Sequence, residues 1–118
     1  MVLSEKEVEW GKAVNPEKIR ERLKTKKFDT LFVTYSETST GVLHPIKAIG
    51  KIVKEFAEVI YLVVAVSSLG GTEIIVKDWG IDVLISAPQK CLAIPPGLSI
   101  AIVSEKEVHP FLLPSVQE

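Results

Sequence analysis

The sequence predicts an α/β fold around a mostly parallel sheet, and three observations carry that expectation. Strand-like and helix-like segments alternate along the chain, the pattern of strand–helix–strand units. The run Val59 to Val66 is apolar without interruption. It is too short for a typical helix and too apolar for a half-exposed strand, so it reads as a central strand covered on both faces. The strand-like runs are followed by polar or irregular loops, the places where α/β folds put ligands.

The elements follow in order. Asn15-Pro16-Glu17 combines a capping side chain, a proline suited to the first helical position and an acid at the positive end of the helix dipole. With Ile19 and Leu23 four apart on one face, it predicts a helix over about 16–25. Phe28 to Tyr35 is rich in aromatic and β-branched residues and reads as a strand. Ser36 to Gly41 reads as a polar loop. Ile46, Ile49, Ile52, Val53 and Phe56 recur at helical spacing, with lysines on the other faces. Gly70-Gly71 marks a turn. Asp82 to Ile85 and Leu98 to Val103 read as further strands around the Pro- and Gly-containing stretch 88–97. Ser104-Glu105-Lys106-Glu107 has the form of a capping box opening a short helix. The pentapeptide Ser-Glu-Lys-Glu-Val occurs at 4–8 and at 104–108 with unmatched flanks, a coincidence rather than a repeat.

Composition narrows the function classes. A chain of 118 residues with 47 % apolar content reads as one domain with a real core. Fourteen basic against fifteen acidic residues leave a net charge of -1, which argues against a nucleic-acid partner. The longest apolar run is far below the ~20 residues of a membrane span, and the acidic start of the chain does not resemble a signal peptide. A single cysteine cannot form an internal disulfide and fits a reducing, cytoplasmic setting. Mean hydropathy of +0.27 is high for a small soluble domain.

Several side chains could carry chemistry. The loops Ser36 to Gly41 and Ser67 to Gly71 hold hydroxyls that suit an anion such as phosphate; ordinary turn chemistry is the alternative. Lys90 lies between two apolar strands. A desolvated lysine loses its proton readily and forms Schiff bases, while a surface lysine keeps its head in water. Cys91 reads as a small buried residue, His44 and His109 as structural, and Glu37 as a loop carboxylate that could also act as a base. Trp10 and Trp79 read as edge-of-core aromatics. No metal-ligand spacing, P-loop or dinucleotide fingerprint is present.

Glu37-Thr-Ser-Thr-Gly-Val-Leu-His-Pro45, Val64-Ala-Val-Ser-Ser-Leu-Gly-Gly-Thr72, Trp79-Gly-Ile-Asp82 and Gln89-Lys90 followed by Pro95-Pro96-Gly97 together resemble class V pyridoxal-phosphate (PLP) aminotransferases. The serine–pyruvate and alanine–glyoxylate branch is the most similar. Cysteine desulfurases of the same fold type fit less well, because Cys91 adjoins Lys90 instead of lying on a separate loop. The likeness covers about 8–106, and 107–118 diverges. It implies that residues 1–118 form one partial domain, a piece of the fold-type-I large domain with a partial three-layer α/β/α build. It implies transamination between a small amino acid (alanine or serine) and a 2-oxo acid (glyoxylate or pyruvate). Lys90 matches the lysine that forms the internal aldimine and moves the substrate α-proton. Gln89 matches a contact to the cofactor phosphate, Thr38 the hydroxyl near the phenolic oxygen, and Val66 the apolar residue against the pyridine face.

Two departures matter. Val64 stands where the family has the aspartate that pairs with the pyridine nitrogen, and Ala87-Pro88 replaces a serine-containing approach to Gln-Lys. The family's N-terminal phosphate-holding segment, its ring-stacking aromatic and its C-terminal substrate-carboxylate arginine have no counterpart in these residues. The isolated chain is therefore expected to be inactive or impaired, and to associate as a homo-oligomer or with a complementing chain. The alternative is a non-catalytic subunit or interaction module.

Overall fold

The computed structural model describes residues 8–105. The helix expected to open at Ser104–Glu107, and His109, fall in or run into residues outside that range. The first helix, α1 (Pro16–Leu23), starts as its sequence demands: the Asn15 side chain accepts from the Glu17 amide at 2.9 Å, and Pro16 opens the helix. It buries Ile19 and Leu23 and ends two residues earlier than expected, where the Thr25 hydroxyl donates to the Arg22 carbonyl.

Strand β1 (Thr30–Thr34) alternates buried and open residues. The stretch read as a polar loop is instead a short antiparallel hairpin, β2 (Ser36–Glu37) with β3 (Val42–Leu43). Each strand has two residues, too few to show a period-two pattern. What closes the hairpin is the Glu37 carboxylate, which accepts from both the Ser39 amide and the Ser39 hydroxyl. The second helix, α2 (Ile46–Val53), buries Ile46, Ile49, Gly50, Ile52 and Val53. It stops short of Phe56. Arg20 of α1 reaches Glu55 just past its end, at 2.7 Å.

Strands β4 (Ile60–Val64) and β5 (Val83–Ser86) run parallel to β1, and β6 (Ile100–Val103) closes the far edge antiparallel to β5. The order is β1-β4-β5-β6. The mostly parallel α/β sheet that the sequence predicted is thus present. The parallel connection from β4 to β5 contains no helix among its residues 65–82. It crosses as turns, packing Trp79 and Ile81 into the same core as the helices.

The register puts Leu31, Val33, Tyr61, Val63 and Leu84 on one face. All are buried with Ile19, Leu23, Ile46 and Ile49 in one cluster. Tyr61 is locked there by its hydroxyl, which donates to the Ile46 carbonyl at 3.0 Å, and burial pushes its ionisation far up. The other face is different. Phe32, Leu62, Val64, Val83, Ile85 and Ala101 share it by register; Phe32 is 53 % and Ile85 36 % exposed. Among the described residues the helical cover therefore lies on one face of the sheet. The expectation that Val59–Val66 is covered on both faces is corrected accordingly: Tyr61 and Val63 are buried, while Ile60, Leu62 and Val64 are half-buried. The open face accounts for the high mean hydropathy. Trp10, expected at the edge of the core, is 82 % exposed.

Candidate functional site

Three parallel strands end on one edge of the sheet, and each hands over to a loop. Tyr35 and the hairpin follow β1, Ala65 to Thr72 follow β4, and Ala87 to Ile94 follow β5. Parallel strands aim their chain direction the same way, so segments about fifty residues apart in sequence meet at one carboxyl edge. Thr38, Val66, Gln89 and Lys90 all lie on these three loops.

The loops are tied to one another. Tyr35 donates its amide to the Val64 carbonyl and its hydroxyl to the Glu73 carbonyl, and its ring meets Trp79 edge-on. The Ser86 hydroxyl donates to the Ala65 carbonyl at 3.1 Å, and the Ala65 amide to the Ile85 carbonyl. The Cys91 thiol donates to the Ser67 carbonyl at 3.4 Å. Pro88 is fully buried, and its carbonyl accepts from Ile94. Ala93 is held at φ +53, a conformation that non-glycine residues rarely adopt, closing a tight turn on Lys90.

The candidate side chains fall into two groups. Thr38, Gln89 and Lys90 are exposed on the edge, and Val66 is half-buried. Lys90 is thus a solvent-facing amine. Cys91 is exposed, not buried as its residue type suggested. The reason is the turn at 90–93, which lifts the residue out of the sheet while its sulfur stays on the Ser67 loop. Ser68 belongs to the loop hydroxyls that the sequence offered for an anion. Its hydroxyl is buried beside these loops and has no hydrogen-bond partner. The sequence names it as one hydroxyl among several, and burial without a partner sets it apart.

Glu37 is spoken for. The two hydrogen bonds from Ser39 hold its carboxyl below the usual range. It serves the hairpin and is a poor base. His44 is structural, as expected: its Nδ1 accepts from the Val14 amide at 3.2 Å, so the neutral ring carries its proton on Nε2. Partial burial lowers its pKa below 6.5, against a smaller opposing pull from Glu37. A folded pKa below the unfolded one gives stability that is present above pH ~6.5 and lost as pH falls through the folded value. The urea midpoint should therefore drop more between pH 7.5 and 5.5 (about one unit either side of the unfolded His pKa) in the wild type than in His44→Gln. Equal drops would contradict the assignment.

The ends of the strands on the open face carry Thr34, Val64 and Ile85 side by side in register. No carboxylate stands in that row. Among the described residues no cluster of metal-ligating side chains occurs, and no helix is long and apolar enough to cross a membrane.

Comparison with known proteins meets this geometry. The family profile "Aminotransferase class-V" matches residues 3–115. An uncharacterized aminotransferase of Methanocaldococcus jannaschii is 46 % identical over 101 residues, covering 85 % of this chain and 26 % of that protein. The crystal structure of ureidoglycine–glyoxylate aminotransferase from Bacillus subtilis superimposes with a TM-score of 0.78 at 37 % identity, over 84 % of this chain and 25 % of that one. Alanine–glyoxylate aminotransferase from Nostoc sp. gives 0.78 at 35 % identity, over 85 % and 26 %. The chain spans about a quarter of the length of these relatives. A profile match over nearly the whole sequence, and a sheet that overlays those of solved aminotransferases, lead to one conclusion: this chain belongs to the class-V aminotransferase family.

Proposed function

We propose that the carboxyl edge of this sheet is part of a pyridoxal-phosphate site serving amino-group transfer from a small amino acid to a 2-oxo acid. The observation that carries the reading is the convergence of Thr38, Val66, Gln89 and Lys90 on the loops after three adjacent parallel strands. The donor set fits the cofactor at two ends. The exposed Thr38 hydroxyl and Gln89 amide suit its oxygens and phosphate, Lys90 Nζ suits its aldehyde, and the unpartnered Ser68 hydroxyl leaves a buried polar group beside them. Bound there, the cofactor supplies an electron sink for the substrate α-carbon. Lys90 holds the cofactor and is the base for the α-proton, and Val66 gives an apolar surface to its ring. The similarity to alanine–glyoxylate, ureidoglycine–glyoxylate and pyridoxamine–pyruvate transaminases supports a small amino acid such as alanine and a small 2-oxo acid, glyoxylate or pyruvate, as the substrate class.

Val64 limits the chemistry. It lies between Thr34 and Ile85; Val64 and Ile85 have no side-chain acceptor, and the neutral Thr34 hydroxyl lacks the charge with which a carboxylate pairs a protonated ring nitrogen. The 118-residue chain by itself is therefore impaired in turnover. Titration with pyridoxal phosphate, followed by absorbance, tests this. Saturable binding is expected, and Val64→Asp should tighten it about tenfold, the scale of one charge-assisted hydrogen bond of ~1.5–3 kcal/mol. Absence of saturable binding in both proteins contradicts the reading.

A second reading rests on the open sheet face, with Phe32, Leu62, Val64 and Ile85 in one patch. Such a face calls for cover from another polypeptide, a second copy or a complementing chain. A cytoplasmic setting accords with the lone cysteine. The sedimentation coefficient of the wild type should rise with concentration, and Phe32→Lys should suppress the rise. A concentration-independent monomer in both would count against self-association.

A further inference from the structure

We propose that Cys91 is a positioning residue, which docks the Lys90 turn onto the glycine pair Gly70-Gly71. The proposal rests on the reading of Lys90 as the reactive amine. Three observations carry it. The Cys91 thiol donates to the Ser67 carbonyl at 3.4 Å. A Cβ placed on Gly71 would lie 2.6 Å from Cys91 Sγ and 3.2 Å from its Cβ. A Cβ on Gly70 would lie 2.8 Å from the Leu92 Cδ2. The two residues after Lys90 therefore sit directly on the backbone of the loop after β4, in space that only glycine leaves open.

The two glycines differ in what they provide. Gly70 has φ +88, so its backbone itself favours glycine. Gly71 shows no such conformation, and its lack of a side chain serves contact alone. The docking is one-sided in sequence and tight in space. Residues 67–71 form one wall, and the turn 90–93, strained at Ala93, forms the other. Lys90 projects from this turn, so its place on the carboxyl edge is fixed by the sulfur next to it and by the glycines about twenty residues earlier. A thiol is a weak donor. The contact acts mainly by shape, filling the space over Gly71.

The position of Lys90 can be read without turnover. Protein is mixed with pyridoxal phosphate and reduced with borohydride, and the lysines that carry the label are mapped by mass spectrometry. The wild type sets the baseline. Gly71→Ala should lower the labelled fraction at Lys90 about tenfold, the size of coupling between contacting residues. Adding Cys91→Gly to Gly71→Ala lets the alanine methyl take the place of the sulfur and should restore labelling in part, to about the level of Cys91→Ala alone. A merely structural role for Gly71 would give loss without rescue. Cys91 is the only cysteine of the chain, so methyl methanethiosulfonate addresses it alone. It forms a mixed disulfide with release of methanesulfinate, and dithiothreitol reverses it. Methylthiolation should depress Lys90 labelling, and reversal should return it.

The outcomes separate cleanly. If the wild type shows no preference for Lys90, the reading of Lys90 falls and the positioning proposal falls with it. If the wild type labels at Lys90 but Gly71→Ala labels equally well, the positioning proposal alone is overturned. If Gly71→Ala does not fold, Cys91→Ala decides: unchanged labelling overturns the proposal, and a several-fold loss supports it.

Discussion

Gly50→Ala should unfold this protein more readily by about 3 kcal/mol or more, although the same change in an exposed helix interior stabilises by ~1 kcal/mol. The sign reverses because of one contact. A Cβ at position 50 would run into the Trp79 carbonyl oxygen and lie 3.4 Å from the Tyr61 ring. The first of these is backbone, and the second belongs to a side chain that is fully buried and hydrogen-bonded. Neither swings aside. The helix would have to lift off the crossover 65–82, and the seam between α2, Trp79 and Tyr61 would open. For a domain of this size such a loss lowers the melting temperature by about 10 °C or more. Circular dichroism against temperature checks it. An unchanged or raised melting temperature in Gly50→Ala would mean that α2 does not rest on the Trp79 carbonyl.

Lys90→Ala should leave the fold untouched and abolish site-specific capture of pyridoxal phosphate. Lys90 is exposed, and among the described residues its ammonium makes no hydrogen bond or ion pair. Its removal therefore costs little stability, within about 0.5 kcal/mol for an exposed site. Its amine, in contrast, is the nucleophile that the proposed site offers to an aldehyde. Borohydride-stable label should drop to the level of the other surface lysines, a loss of the whole specific signal. Arginine at the same position keeps the charge but is no substitute, since its guanidinium does not deprotonate. Lys90→Arg should label no better than Lys90→Ala. This separates the reactive amine from a simple electrostatic attraction of phosphate to a cation.

Much of the fold was legible in the residues. Asn15-Pro16-Glu17 names a helix start by chemistry, and the start is where it should be. Ile46, Ile49, Ile52 and Val53 mark the buried side of α2 by spacing alone. The alternation of elements was enough to predict parallel strands, and parallel strands were enough to gather distant loops on one edge. Other features were hidden for physical reasons. The hairpin of β2 and β3 spans two residues per strand, and it is held by a carboxylate that folds back on its own turn. No hydrophobic period announces it. A continuous apolar run does not say which side is covered, so Val59–Val66 suggested two faces where the described residues cover one. The exposure of Cys91 follows from a left-handed Ala93, which a sequence does not encode plainly. Ser68 was one hydroxyl among several in the sequence, and burial without a partner is what sets it apart.

The same limits applied to the site. Lys90 stood out as a lysine between apolar strands and Thr38 as a loop hydroxyl, Gln89 only by resemblance, and all three lie on loops at one edge of the sheet. Their mutual spacing was beyond any reading of the chain. The weight that Gly71 carries, as the floor beneath Cys91, came from the packing.

The most direct measurement is the peptide map of the wild-type chain after incubation with pyridoxal phosphate and reduction. The account predicts label concentrated on the peptide that contains Lys90, far above that on the lysines of α1 and α2. Label spread evenly over those surface lysines, with Lys90 no higher than the rest, would contradict the claim that this sheet edge is a cofactor site.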